Sequence, residues 1–340
     1  TPKPSSAASD VYKRQIEMSL KNKSVLVSGG AGFIGSHLVD RIIKEEPENL
    51  VVVDNFSLGK LSNLEDAKKN YPNLKIYDQD ATNYERVRRI IEEEGVEVVF
   101  NLAIVPLPVS IEKPKWTYEH NVAITSTYCE LLRNDFFKTL INFSSSEAYG
   151  TCLYAPMDEN HPLNPMTPYA ASKASADHLL LSYYRTFGID AAIVRPFNNF
   201  GPRQNDKSYA AVIPITIRRI LSGEAPVIYW DGEQSRDFIY VANTADGTIE
   251  VYNHKNTRGK VINIASGKDI TINTVVKTIA KLLNCDKPIV YKEKRPGDVR
   301  RHIANTFLAR DLLNFKPKIS FEEGMKLTIE WYKNLYKKQK

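Results

Sequence analysis

The chain has 340 residues, of which 42% are hydrophobic and 25% charged, with a formal net charge of +6. That is ordinary globular composition at a length suited to roughly two domains, and it excludes a disordered or fibrous chain. No apolar run reaches the roughly 18 residues that a membrane-spanning helix needs. The longest candidate, residues 96–109, is broken by Glu97, Asn101, Pro106 and Pro108. Three cysteines (Cys129, Cys152 and Cys285) lie far apart with no CxxC pair, and six histidines are scattered. Neither a disulfide framework nor a metal-ligand spacing is visible, so no metal is expected and a cytoplasmic location is. Positive charge gathers toward the two ends, including Lys337, Lys338 and Lys340, and reads as solvated termini. A basic stripe with interleaved aromatics is missing, so no nucleic-acid partner is expected, and no membrane partner either.

Residues 5–15 (SSAASDVYKRQ) have no apolar periodicity and no signal-peptide core. They match the translated adapter used in preparing DNA libraries, so residues 1–17 are expected to form a disordered tail ahead of a natural start at Met18.

From Ser24 onward, short β-branched or aromatic runs alternate with helical spacing. The runs are Val25-Leu26-Val27, Leu50-Val51-Val52-Val53, Leu74-Lys75-Ile76-Tyr77, Val96-Glu97-Val98-Val99-Phe100, Leu140-Ile141-Asn142-Phe143 and Ala191-Ala192-Ile193-Val194. Helices are predicted between them, among others over residues 37–46, 84–94 and 122–133. This rhythm predicts βαβ units and a parallel sheet buried on both faces, an α/β fold. After Pro196 the rhythm loosens. Strand-like pieces at 227–229, 238–241 and 261–264 are expected in a smaller irregular lobe closed by a helix over 322–336. The predicted division is therefore 18–196 for the first domain and 197–340 mainly for the second.

Gly29-Gly30-Ala31-Gly32-Phe33-Ile34-Gly35 follows the first strand and opens a helix. Glycines at 29, 32 and 35 allow a tight turn, close approach to a pyrophosphate and close helix–sheet packing, with the helix N-terminus facing the phosphates. Asp54 ends the second strand, 19 residues after Gly35, where a carboxylate can bind adenosine ribose hydroxyls. The same charge repels a 2′-phosphate and favours NAD over NADP, with Lys60 nearby as an opposing charge. Tyr169 and Lys173 stand at i and i+4 on one helical face. A free tyrosine is a poor base near neutrality, and a neighbouring ammonium, with a positive nicotinamide ring, is expected to stabilise its phenolate.

With these motifs together, the chain resembles an extended short-chain dehydrogenase/reductase of the nucleotide-sugar epimerase/dehydratase family over about residues 23–333. The resemblance rests on the glycine turn, Asp80-Ala81, Asn101-Leu102-Ala103, the run Ser144-Ser145-Ser146-Glu147-Ala148-Tyr149-Gly150 and the Tyr169/Lys173 pair. It rests also on Arg195-Pro196-Phe197-Asn198-Asn199-Phe200-Gly201-Pro202-Arg203, Arg236-Asp237-Phe238 and Arg295-Pro296-Gly297-Asp298. It implies a Rossmann-type doubly wound sheet with a small mixed C-terminal substrate lobe, tightly bound NAD, a nucleotide-diphosphate sugar substrate and a homodimer formed through helices at 122–133 and 169–184. It places Phe33, Ile34, Asn55, Asp80, Ala81, Leu102, Ala103 and Pro196 with the glycines and Asp54 around the cofactor. Ser145 would hydrogen-bond the sugar O4 and Lys173 the nicotinamide ribose. Asn198, Arg203, Arg236, Arg295 and Asp298 form the implied substrate group.

The resemblance also frames the reaction. Tyr169 would take the 4-OH proton while C4 is oxidised, and the resulting 4-keto sugar can be dehydrated, decarboxylated or reduced on its other face. A glutamate at position 147 occurs in the family's 4,6-dehydratases, where it removes the C5 proton, and in its UDP-glucuronate decarboxylases. Typical galactose epimerases lack it. Ser146 stands where dTDP-glucose dehydratases carry an aspartate. The expected substrate loop, residues 104–110, carries no basic residue and departs from the usual pattern. Dehydration or decarboxylation therefore ranks ahead of 4-epimerisation. A non-catalytic NAD-binding sensor is the remaining alternative, although such relatives usually lose the Tyr or the Lys.

Overall fold

A computed structural model describes residues 18–206, 211–294 and 299–337. The expected tail, residues 1–17, lies outside them. Seven parallel strands form the central sheet. Six come in the first half: β1 (Ser24–Ser28), β2 (Asn49–Asp54), β3 (Lys75–Asp78), β4 (Val98–Asn101), β5 (Thr139–Phe143) and β6 (Ala191–Pro196). Their spatial order, 3-2-1-4-5-6, is that of a doubly wound dinucleotide-binding sheet, with the order reversing between β1 and β4.

Strand periodicity explains why the sheet is apolar on both sides. Val25, Val27 and Val52 face one core with Leu38 and Ile42 of the helix Phe33–Ile43. Leu26, Val51 and Val53 face the other with Val87, Ile124 and Leu180 of three further helices. Every residue of β1, β5 and β6 is buried. Burial of each such aliphatic side chain contributes roughly 1.5–3 kcal/mol, which is why the runs are continuous rather than alternating.

The remaining strands are β7 (Asn198–Phe200), β8 (Val227–Tyr229), β9 (Ser235–Arg236), β10 (Phe238–Tyr240), β11 (Val261–Ile264), β12 (Ile270–Thr271), β13 (Val290–Lys292) and β14 (Arg301–His302). All but β11 form small sheets in the second lobe. There Phe200, Ile217, Val276 and Tyr332 share a separate core with the helices Val212–Leu221, Ile272–Leu282 and Phe321–Lys337.

Two expectations are corrected here. Residues 261–264 do form a strand, but it extends the main sheet by pairing in parallel with β6. The helix Val241–Asn253 before it packs on the helix Phe33–Ile43. The stretch 241–264 therefore returns to the first body across the expected boundary at 196/197. Residues 104–110, expected as a loop, run into a short helix, Leu107–Glu112. Pro108 sits in its first turn, where a missing N–H costs no helical hydrogen bond. Among the described residues no helix is long and apolar enough to cross a membrane.

Candidate active site

The C-terminal ends of β1, β2, β4, β5 and β6 open onto one cavity of about 460 Å³. It is built first by the glycine turn. Gly29 has φ +72, and a Cβ there would lie 2.7 Å from the Ala103 nitrogen. A Cβ on Gly35 would lie 2.1 Å from the Gly29 carbonyl oxygen. The helix that follows has Gly32 as its N-cap, with no side-chain cap, so its first-turn N–H groups are left for a ligand. A Gly35→Ala variant should lose NAD binding and about 1–3 kcal/mol of stability, because backbone stands where the methyl must go. Thermal unfolding with and without NAD measures both. An unchanged melting temperature with an intact NAD shift would contradict that packing.

Along this groove Asp54 accepts from the amides of Ala31 and Phe56, each at 2.9 Å. Burial pushes its carboxyl above the usual range, partly offset by those two donors. Asp80 accepts from the Thr82 amide at 2.8 Å and from the Asn55 side chain at 3.2 Å. Burial works against its charge, but Thr82, His120 and Asn55 together hold the carboxyl below its ordinary value.

The reacting end is assembled from two elements. Thr167 caps the helix Pro168–Phe187 by accepting from the Ala170 amide at 3.1 Å, which sets Tyr169 in the first turn and Lys173 one turn on. After β5, a 3₁₀ turn (Ser146–Tyr149) is capped by Ser145, whose hydroxyl accepts from the Glu147 amide at 3.2 Å. Ser145, Ser146, Glu147, Tyr169 and Lys173 all line the cavity. Lys173 is buried and donates to the Phe143 carbonyl at 2.6 Å. Burial lowers its pKa to about 8, against the pull of Asp177. For Tyr169, burial pushes the phenol up to about 12, against a hydrogen bond with Ser145. The expected activation of the phenol is thus not supplied by the protein alone: burial outweighs the Ser145 hydrogen bond, and the nearby carboxylates of Glu147 and Asp177 push the phenol the same way as burial.

Of the other residues read from the sequence, Phe33, Ile34, Asn55, Ala81, Leu102, Ala103, Pro196, Asn198 and Arg203 also line this cavity. The Asn198 side-chain nitrogen is buried with no partner among the described residues, a donor available to a ligand. Arg203 is already committed, pairing with Asp40 at 2.7 Å and Asp66 at 3.6 Å. Arg236 lies off the cavity lining and donates to the carbonyls of Ser235 and Val299. Arg295 and Asp298 lie outside the described residues. Sequence reasoning missed His120 and Trp116. Their ring centres lie 4.9 Å apart with the planes tilted by 32°, both line the cavity, and His120 reaches Asp80 at 3.3 Å. Their helix runs from Pro114 to Arg133, two turns longer than the predicted 122–133. Pro114, suited to a first helical position, was the available signal.

A family model described as GDP-mannose 4,6 dehydratase matches residues 26–328. The chain belongs to this family. It resembles solved and curated proteins of three activities. A UDP-N-acetylglucosamine 4-epimerase from Methanobrevibacter ruminantium shares 38% identity and a TM-score of 0.85, covering 93% of this chain and 99% of that one. UDP-glucuronic acid decarboxylase 3 of Arabidopsis thaliana is 32% identical over 91% of this chain and 89% of its own length. A dTDP-glucose 4,6-dehydratase from Bacillus anthracis, solved in complex with NAD, is 32% identical with a TM-score of 0.82, covering 92% and 97%. Family membership makes this protein an enzyme of nucleotide-sugar modification.

Proposed function

We propose that the protein is an NAD-dependent lyase acting on a nucleotide-diphosphate sugar through a transient 4-keto sugar, by dehydration or decarboxylation. The observation that carries this reading is Glu147, a carboxylate lining the same cavity as Tyr169 and Ser145. NAD, when bound, supplies the acceptor for the hydride that leaves C4 and can return it. The glycine turn and uncapped helix suit its pyrophosphate, Asp54 its adenosine ribose, and Lys173 its nicotinamide ribose. Tyr169 takes the proton from the 4-hydroxyl, and Ser145 hydrogen-bonds the same oxygen. In dehydration Glu147 then serves as the base at C5, whose proton the adjacent ketone makes acidic, and the C6 hydroxyl leaves as water. In decarboxylation the C5–carboxylate bond breaks instead, its electrons passing into the 4-keto group, and C5 takes up a proton afterwards. Asn198 is the described residue best placed to donate to the substrate.

A second reading, 4-epimerisation, is favoured by the 38% identical UDP-N-acetylglucosamine 4-epimerase. Mass spectrometry separates the two after incubation with NAD and a panel of UDP-, dTDP- and GDP-sugars. Loss of water or carbon dioxide establishes the lyase, and an isomeric product of unchanged mass rejects it.

The chain is further proposed to act in the cytoplasm as a homodimer. The three free cysteines fit a reducing compartment. The helices Pro114–Arg133 and Pro168–Phe187 pack side by side and leave Tyr118 and Phe187 exposed. Light scattering on the eluting protein should give twice the chain mass of 38.6 kDa. A monomer mass would reject the dimer.

A further inference from the structure

Behind the reacting groups lies a second polar layer to which the mechanism above gives no task. Asp177 stands one turn beyond Lys173 on the same helix, so Tyr169, Lys173 and Asp177 follow one another at i, i+4 and i+8. It is 1% exposed. Its Oδ2 accepts from Arg195 Nη2 at 2.6 Å and from the Ser144 hydroxyl. Arg195, on β6, is equally buried, lies 4.3 Å over the Tyr149 ring, and donates from Nε to Ser144 at 3.3 Å. Asp177 Oδ1 is buried with no partner among the described residues.

Charge makes this arrangement consequential. Lys173 and Arg195 are two cations removed from water, and buried charge is costly unless paired. The guanidinium does not surrender its proton, so any shortfall of negative charge falls on the lysine. Around Lys173, Tyr169 and Glu147 line the same cavity, Asp177 lies one turn along its own helix, and Arg195 of β6 pairs with that carboxylate. Among them Asp177 is the group that favours the ammonium, while burial opposes it. The same carboxylate joins the serine-bearing segment to the helix of Tyr169, and so fixes one half of the reacting end against the other.

We infer that Asp177 is a positioning residue: clasped by Arg195, it holds the segment of Ser144 and Ser145 against the catalytic helix and acts as the buried counter-charge that keeps Lys173 protonated. This rests on the reading of Lys173 as the lysine that holds NAD.

The test is NAD affinity by calorimetry from pH 6 to pH 9, on protein freed of carried-over nucleotide, for the unaltered chain and Asp177→Asn. The ammonium is present below the lysine pKa and lost above it. Binding by the unaltered chain should therefore weaken as pH rises through about 8. In Asp177→Asn that loss should begin about one pH unit lower, giving about fivefold weaker binding at pH 8, about tenfold at pH 9 and near-equal binding at pH 6. A merely structural role would lower affinity alike at every pH. Should Asp177→Asn fail to fold by circular dichroism, Asp177→Ser, which removes the same charge with a smaller polar side chain and leaves Arg195 in place, carries the same comparison. Coincident pH profiles in a folded variant overturn this inference alone. Absence of NAD binding by the unaltered chain at every pH overturns the cofactor reading, and this inference with it.

Discussion

Replacing Tyr169 with phenylalanine should lower kcat about a thousandfold while leaving NAD affinity within about threefold of the original. A positioned general base contributes roughly 10² to 10⁴ in rate, and the phenol oxygen is the only atom the substitution removes. The ring itself, 9% exposed, keeps its packing in the first turn of the helix. Burial holds the phenol near 12 in the protein by itself, so near neutrality it is protonated. Turnover by the unaltered enzyme should therefore climb with pH as the loaded site ionises the phenol, then fall where Lys173 loses its proton. The rising limb should vanish from the residual activity of Tyr169→Phe. Steady-state rates across pH, paired with calorimetric NAD binding, measure both effects. Residual activity above about a tenth of the original would remove Tyr169 from the proton transfer.

Glu147→Gln separates the two halves of the proposed reaction. The amide keeps the shape of the carboxylate but cannot accept a proton from C5. Loss of carbon dioxide, which removes no C5 proton, should fall far less than loss of water. The latter should fall by about 10² to 10⁴, the usual worth of a general base, while oxidation at C4 continues. Reduced-cofactor absorbance should then accumulate when substrate is added, since the 4-keto sugar has no onward route. Loss of both steps together would give Glu147 a structural part in the turn that Ser145 caps. Undiminished turnover to an isomeric product would make the enzyme a 4-epimerase.

Five of the first six strands were legible because burial on both faces demands continuous apolar runs, whereas β3 lies at the sheet edge with no buried residue. What the runs do not carry is partnership. Val261-Ile262-Asn263-Ile264 reads as a strand in isolation, but nothing within it says that it joins β6 rather than a small sheet nearby. The glycine turn and the Tyr169/Lys173 pair were legible because their geometry is local, fixed within one turn and one helix. The pairing of Arg203 was not, because its partner Asp40 is 163 residues away in sequence. The direction of the Tyr169 shift was missed for a related reason. Spacing places an ammonium near a phenol, whereas desolvation depends on everything packed around both.

The return of residues 241–264 to the central sheet bears on how such an enzyme can be re-engineered. A gene cut after residue 196 would remove β11 and leave one side of β6 an unpaired edge, an invitation to aggregation rather than a free-standing module. The helix Val241–Asn253 would go with it, stripping one cover from the helix that begins at the glycine turn. Exchanging substrate preference between relatives therefore calls for grafting two separate stretches of chain, one on each side of 241–264. A single fusion point after residue 196 would join six sheet strands of one parent to the seventh of the other.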